Sequence, residues 1–136
     1  METDNWIKSL GMGARGPQLP DHWADIDDGI FHRAVTFRGR PGMATGDGIV
    51  LYASGTGLIF AIGHVTSYPY RQEAVGHESW PWRVNVELSR WREFIHDGVP
   101  LDLLNVESRD LRKVIKRRSH IRLTDTEYAA ASAALS

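Results

Sequence analysis

The order of patterns along the chain predicts an α+β fold, a small curled sheet or barrel with flanking helices. Three observations carry this. A loop and a helical segment come first, a block of strands fills the middle, and helices close the chain. No strand–helix–strand alternation is present to build a doubly wound parallel sheet. The length of 136 residues suits one domain spanning 1–136, and 42% hydrophobic with 24% charged residues supplies a single core.

Taken in order, NWIKSL (5–10) can form a strand, and the glycines and prolines of GMGARGPQLP (11–20) make a loop. That loop spells G-x-G-x-x-G at Gly11, Gly13 and Gly16. A dinucleotide fingerprint needs a helix to start there, but Pro17 and Pro20 follow and no second βαβ unit is available, so the motif is set aside. DHWADIDDGIF (21–31) predicts a short helix capped by Asp21, with Trp23, Ile26 and Ile30 facing inward. Residues 32–45 show no clear period and read as irregular. IVLYA (49–53) and LIFAIGHVT (58–66), joined by SGTG, read as a hairpin, and SYPYRQEAVGHES (67–79) as a long exposed connection. In WPWRVNVELSRW (80–91), Trp80, Trp82, Val84, Val86 and Leu88 alternate with Pro81, Arg83, Asn85 and Glu87, the pattern of a strand with one apolar face. Pro100 opens a short helical turn over LDLLN, and ESRDLRKVIK (107–116) has helical period. TDTE then supplies a capping box, Thr124 as cap and Glu127 reaching back, ahead of the helix EYAAASAAL.

Several function classes drop out. With no cysteine, disulfides, thiolate nucleophiles and cysteine zinc sites are excluded, which fits a reducing cytoplasm. The longest apolar run, Leu58 to Ile62, is too short to span a bilayer, and METDNWIKSL has no basic leader followed by an apolar run, so a soluble cytoplasmic protein is expected, with no membrane partner. His22, His32, His64, His77, His96 and His120 form no metal-ligand pair, and neither a metal nor a cofactor is expected. No G-x-S-x-G marks a nucleophile. Asp27 and Asp28 would point about 100° apart on a helix, a poor acid and base pair. No catalytic residue is assigned.

Charge is distributed unevenly. Residues 1–30 hold six carboxylates against two cations, and residues 105–123 hold seven cations against two carboxylates. Arg109, Arg112, Lys113, Lys116 and Arg117 fall at i, i+3, i+4, i+7 and i+8, one stripe of a helix, with Arg118 and Arg122 extending that end. Such a stripe suits the phosphates of a nucleic acid, and equally a solvated basic face. Trp80 and Trp82 can be core, or can receive a flat base between aromatic faces.

GDGIVLYAS, GLIFAIGHVTSYPY, WPWRVNVEL, VPLDLL and SHIRLTDTEY, in that order between Gly46 and Tyr128, resemble elements of the EVE domain family, part of the PUA-like group that also holds the YTH and ASCH domains. The resemblance implies a small, strongly bent β-barrel decorated by helices and a pocket that holds one modified, for example methylated, base flipped out of DNA or RNA. It implies that Ser54 contacts the base edge and that Trp80 or Trp82 stacks on the base. The N-terminal third diverges. The family's W-D-G-V-R-N element falls on DDGIFH, where Asp27 stands in place of the tryptophan, and Phe31 or His32 would have to substitute. His64 replaces the glutamate of the family's A-E-V element, and NWIKSL only faintly echoes its opening.

The leading expectation is therefore a non-catalytic, nucleic-acid-binding domain that reads a modified base. A second is an ASCH-like amidohydrolase of modified nucleosides, for which Lys8, Glu73 and His64 are the available residues, with no spacing that ties them together. A third is a protein interaction module whose tryptophans are core and whose basic helix docks an acidic partner.

Overall fold

The computed structural model describes residues 3–11, 19–24, 32–72 and 79–136. Its strands are β1 (Asn5–Leu10), β2 (Ala34–Phe37), β3 (Gly48–Ala53), β4 (Leu58–Val65), β5 (Tyr70–Arg71), β6 (Trp82–Trp91), β7 (Val99–Pro100) and β8 (His120–Leu123). The helices are α1 (Leu111–Ile115) and α2 (Asp125–Ala134), with 3-10 turns at Ile95–Asp97 and Leu101–Leu104. One mixed sheet runs β2-β6-β4-β3-β1-β8, with β5 added to β6 and β7 to β4. β1 and β3 are parallel, and the remaining pairs are antiparallel.

The sheet is rolled into a half-barrel. β2 and β8 lie at opposite ends of the strand path, yet the rings of Phe37 and His120 meet edge to face at 4.9 Å. Register shifts between Leu51 and Tyr52 and between Ile62 and Gly63 supply bends. At the second, a Cβ on residue 63 would sit 2.1 Å from the Glu87 carbonyl oxygen, so the close approach of β4 to β6 requires glycine.

Rolling gives the sheet two buried faces. Trp6, Leu10, Phe37, Leu51, Phe60 and Val84 share the inner cluster, and Ile7, Val50, Ile59, Leu101, Leu111 and Leu135 share the outer one, beneath the helices. This is why IVLYA is an unbroken apolar run: Ile49 and Leu51 point into one cluster while Val50 and Tyr52 point into the other. Asp47 anchors the rim opposite, its carboxylate accepting from the Trp6 indole at 2.9 Å and from the backbone N–H groups of Asp4 and Ala44. No described helix is long and apolar enough to cross a membrane.

The expected fold class is the one observed, and NWIKSL, the hairpin, the turn after Pro100 and the capped last helix form as their patterns predict. Four elements differ. β2 occupies the segment read as irregular, β8 is added at HIRL, and β5 lies within the expected loop connection. The helix expected over 107–116 shrinks to five residues, because the Asp110 side chain caps it at Arg112 N–H and the backbone leaves helical geometry at Lys116. Asp21 accepts from His96 N–H at 2.9 Å, and Trp23 is fully buried. Gly13, Gly16, Asp27, Asp28, Ile26 and Ile30 lie outside the described residues.

Candidate functional site

Strand parity explains how a lysine enters the barrel. Trp6, Lys8 and Leu10 alternate on β1 toward the inner face, so Lys8 is carried between two core residues and is only 3% exposed. Its amine donates to Ser119 Oγ at 2.8 Å and lies 4.7 Å from the Phe37 ring centroid and 5.4 Å from that of Trp80. Burial lowers its pKa from 10.5 to about 7. His120, in register with Lys8 on β8, has its pKa pulled down to about 4, first by burial and then by the Lys8 charge, so its imidazole is neutral near pH 7. His120 Nδ1 lies 3.2 Å from Ser119 Oγ.

These groups form the floor of a cavity of about 1020 Å³ at the seam where the two ends of the sheet approach. Phe37 ends β2, and the chain beyond it brings Arg38 and Arg40 to one side, with the Arg38 guanidinium 4.7 Å from the Trp80 ring centroid. α1 and the residues after it supply Arg112, Lys116, Arg117 and Arg118 on the other. Arg112 is held by Asp102 at 2.9 Å and packs across Gly57, whose φ of +75° and absent Cβ leave room for the guanidinium. Tyr52 and Ser54 of the first hairpin also line the wall. Among the described residues the lining thus contains seven lysine and arginine side chains, one histidine and no carboxylate.

Of the residues singled out in the sequence, Ser54, Trp80, Arg112, Lys116 and Arg117 come together here. Trp82 does not line the cavity: β6 begins at Trp82, so strand alternation does not extend back to Trp80, and the Trp82 ring lies 5.7 Å from Arg40 and 5.5 Å from Arg71 instead. His32 stacks on Trp23 at 4.5 Å and meets the edge of Trp91, away from the cavity. Arg109 precedes α1 and is committed to Glu127, with Nε 2.8 Å from Oε2. Lys113 is exposed on α1 and does not line the cavity. Phe31 lies outside the described residues, as does Glu73. His64 is exposed on β4, apart from Lys8. The residues that sequence reasoning missed are Phe37, Arg38, Arg40, Tyr52, Ser119 and His120. One signal was present, a lysine at an inward position between Trp6 and Leu10. Among the described residues no group of three His, Asp or Glu side chains could hold a metal ion.

No protein-family model matches the sequence, and no curated protein does. Solved structures do match. A protein from Leishmania major has a TM-score of 0.55 at 18% identity, over 94% of this chain and 91% of its own. One from Pseudomonas syringae has a TM-score of 0.55 at 16% identity, over 95% and 97%. Human THYN1, an EVE-domain protein solved in complex with DNA containing 5-methylcytosine, has a TM-score of 0.50 at 13% identity, over 93% of this chain and 94% of its own. The chain has the fold of the EVE domains. In this EVE-type half-barrel the cavity sits at the open seam, where the sheet stops short of closing and the inner face is accessible from outside.

Proposed function

We propose that this chain is a non-catalytic reader that takes one modified base, flipped from DNA or RNA, into the cavity, while cations at its edge hold the flanking phosphates. The observation that carries this reading is the lining itself: an indole and a phenyl ring beside seven lysine and arginine side chains, with no carboxylate among the described residues. A flat base gains from stacking on an aromatic face and from polar groups at its edge, and phosphates gain from a surrounding field of one sign. The EVE fold shared with THYN1, which was solved with methylated DNA, supports the same reading.

The test is a titration with modified and unmodified DNA and RNA oligonucleotides, using the wild-type protein and Trp80→Ala. Stacking on an aromatic contributes about 1–3 kcal/mol, so loss of Trp80 should weaken binding of the preferred base roughly tenfold or more. Weak and equal binding by both proteins would end the proposal.

A second reading draws on one contact. A lysine amine that is half neutral near pH 7 and hydrogen-bonded to a serine hydroxyl, as Lys8 is to Ser119, is the pairing used by serine–lysine acyl-transfer sites. It requires turnover of acylated nucleosides that Ser119→Ala abolishes. A protein that binds the base and releases no product is the reader.

A further inference from the structure

Stacking on Trp80 and phosphate contacts at the cavity edge leave Lys8 without a task. Its side chain is nine-tenths or more buried and lines the cavity, yet an ammonium carries three donors. One is used on Ser119 Oγ, which among the described residues is its one hydrogen-bond acceptor. The other neighbours are the faces of Phe37 and Trp80 and the neutral His120. The remaining charged side chains of the lining are cations and offer it no acceptor. A buried charge with neither counter-ion nor a full set of acceptors is strongly disfavoured, and strand positions facing a core are ordinarily apolar. Nothing in the packing requires a lysine between Trp6 and Leu10, since leucine or methionine would fill the same volume.

We infer that the ligand of this cavity carries an anionic oxygen group that seats on Lys8 and Ser119. The inference rests on the base-reading proposal and narrows its substrate class. The seated group is either the acidic substituent of an oxidised base, as in a 5-carboxylated pyrimidine, or a terminal phosphate entering the same cavity. Lys8 then gains acceptors for its two open donors, and the Ser119 hydroxyl, accepting from Lys8, can turn its proton from His120 Nδ1, 3.2 Å away, to the same anion. A methyl substituent would leave those donors unsatisfied, and the surrounding cations favour a negative group at this depth.

The experiment compares four oligonucleotides of one sequence on the wild-type protein: 5-carboxylcytosine, 5-methylcytosine, unmodified with a 5′-hydroxyl, and unmodified with a 5′-phosphate. Lys8→Met and Trp80→Ala are run beside it. The expected result is at least about tenfold tighter binding of the 5-carboxylcytosine strand than of the 5-methylcytosine strand, a preference lost in Lys8→Met. A Lys8-dependent gain from the 5′-phosphate alone supports the anion seat and assigns it to a strand end. Equal binding of carboxylated, methylated and phosphorylated strands, still lowered by Trp80→Ala, overturns the anion seat and leaves the base reader standing. Binding that no modification and no Trp80 substitution alters overturns both. If Lys8→Met does not fold, the four-strand comparison on the wild-type protein decides alone.

Discussion

Two buried charges, Glu127 and Lys8, sit on either side of β8 and are treated in opposite ways. Glu127 is 0% exposed at the start of α2 and has a complete set of partners. Its carboxylate accepts from Arg109 Nε at 2.8 Å and from Thr124 N–H at 2.8 Å, while the Thr124 hydroxyl accepts from Glu127 N–H to close the capping box. Burial alone would push its pKa up, but the bonds from Arg109 and Thr124 outweigh burial and hold it below the ordinary carboxylate value. Among the described residues Lys8 has one hydrogen bond and no counter-ion, and burial lowers its pKa to about 7. The contrast separates two uses of a buried charge: where every donor and acceptor is accounted for, the charge holds the fold, and where donors remain open beside a cavity, they are available to the anionic ligand proposed above.

The largest expected effect breaks the satisfied side. Glu127→Ala removes the acceptor of Arg109 and half of the capping box together, and should destabilise the protein by about 3 kcal/mol in a urea melt, the low end for a broken buried pair because Arg109 keeps partial access to water. The same pair fixes the acid response. With the folded pKa below the unfolded value of 4.5, the contribution is full above that value and is lost as pH falls through the folded pKa, so the wild type should lose stability there while Glu127→Ala responds less.

Next in size is the ligand side. Trp80→Ala should cost about 1–3 kcal/mol of oligonucleotide affinity and leave the urea midpoint close to wild type, because Trp80 stands at the cavity wall and belongs to neither buried cluster. Trp82→Ala should show the reverse, a loss of stability with little change in base preference, since its ring packs on the inner core. Equal effects of the two substitutions on binding would erase the distinction between wall and core.

How much of this was legible from the sequence depends on how local each cause is. IVLYA announced a strand by its run of β-forming residues, RVNVEL did so because alternation records which face is buried, and TDTE announced a helix start because its two hydrogen bonds close within four residues. β2 and β8 are only four residues each and exist because β6 and β1 pair with them, so no local period exposes them. The site divides in the same way. Trp80, Ser54, Lys116 and Arg117 belong to recognisable stretches, whereas Phe37, Arg38, Ser119 and His120 meet Lys8 only after the two ends of the sheet roll together. Arg109 shows the converse: helical spacing aligns it with the basic stripe, while its guanidinium donates to Glu127, eighteen residues later, a pairing no local pattern announces.

Lys8 itself gives a subtler pair of titrations. Its folded pKa of about 7 lies below the unfolded value of 10.5, so the unfolded chain binds more protons between them, and stability should rise as pH climbs from about 7. Affinity for an anionic ligand should move the other way, flat below about pH 7 and falling by up to about tenfold per pH unit above it as the free amine loses its proton. His120 is neutral throughout that range, and the lining arginines, Tyr52 and Lys116 also face the cavity, so the Lys8→Met profile isolates the lysine. A wild-type affinity that rises above pH 7 would contradict the seat.

The smallest effect tests whether the edge of the cavity bears a structural cost, as its floor does. Arg117, two residues past α1 and third in the turn Ile115–Arg118, has φ of +66°, a left-handed conformation in which a side chain is strained and turns of this kind usually place glycine. Arg118 N–H closes the turn on the Ile115 carbonyl at 2.9 Å, so the backbone is fixed by the cap whatever residue stands there. Arg117→Gly relieves strain of about 1 kcal/mol, and glycine's greater freedom in the unfolded chain offsets part of that, for a net stabilisation of roughly 0.5 kcal/mol. The same substitution removes one cation from the cavity edge, which should lower the slope of log affinity against log salt by up to about one unit. A gain in stability joined to a loss in salt dependence would mark Arg117 as a residue retained for its charge against the preference of its backbone. If the salt slope is unchanged, Arg117 lies outside the phosphate path, and Lys116 and Arg118 carry it.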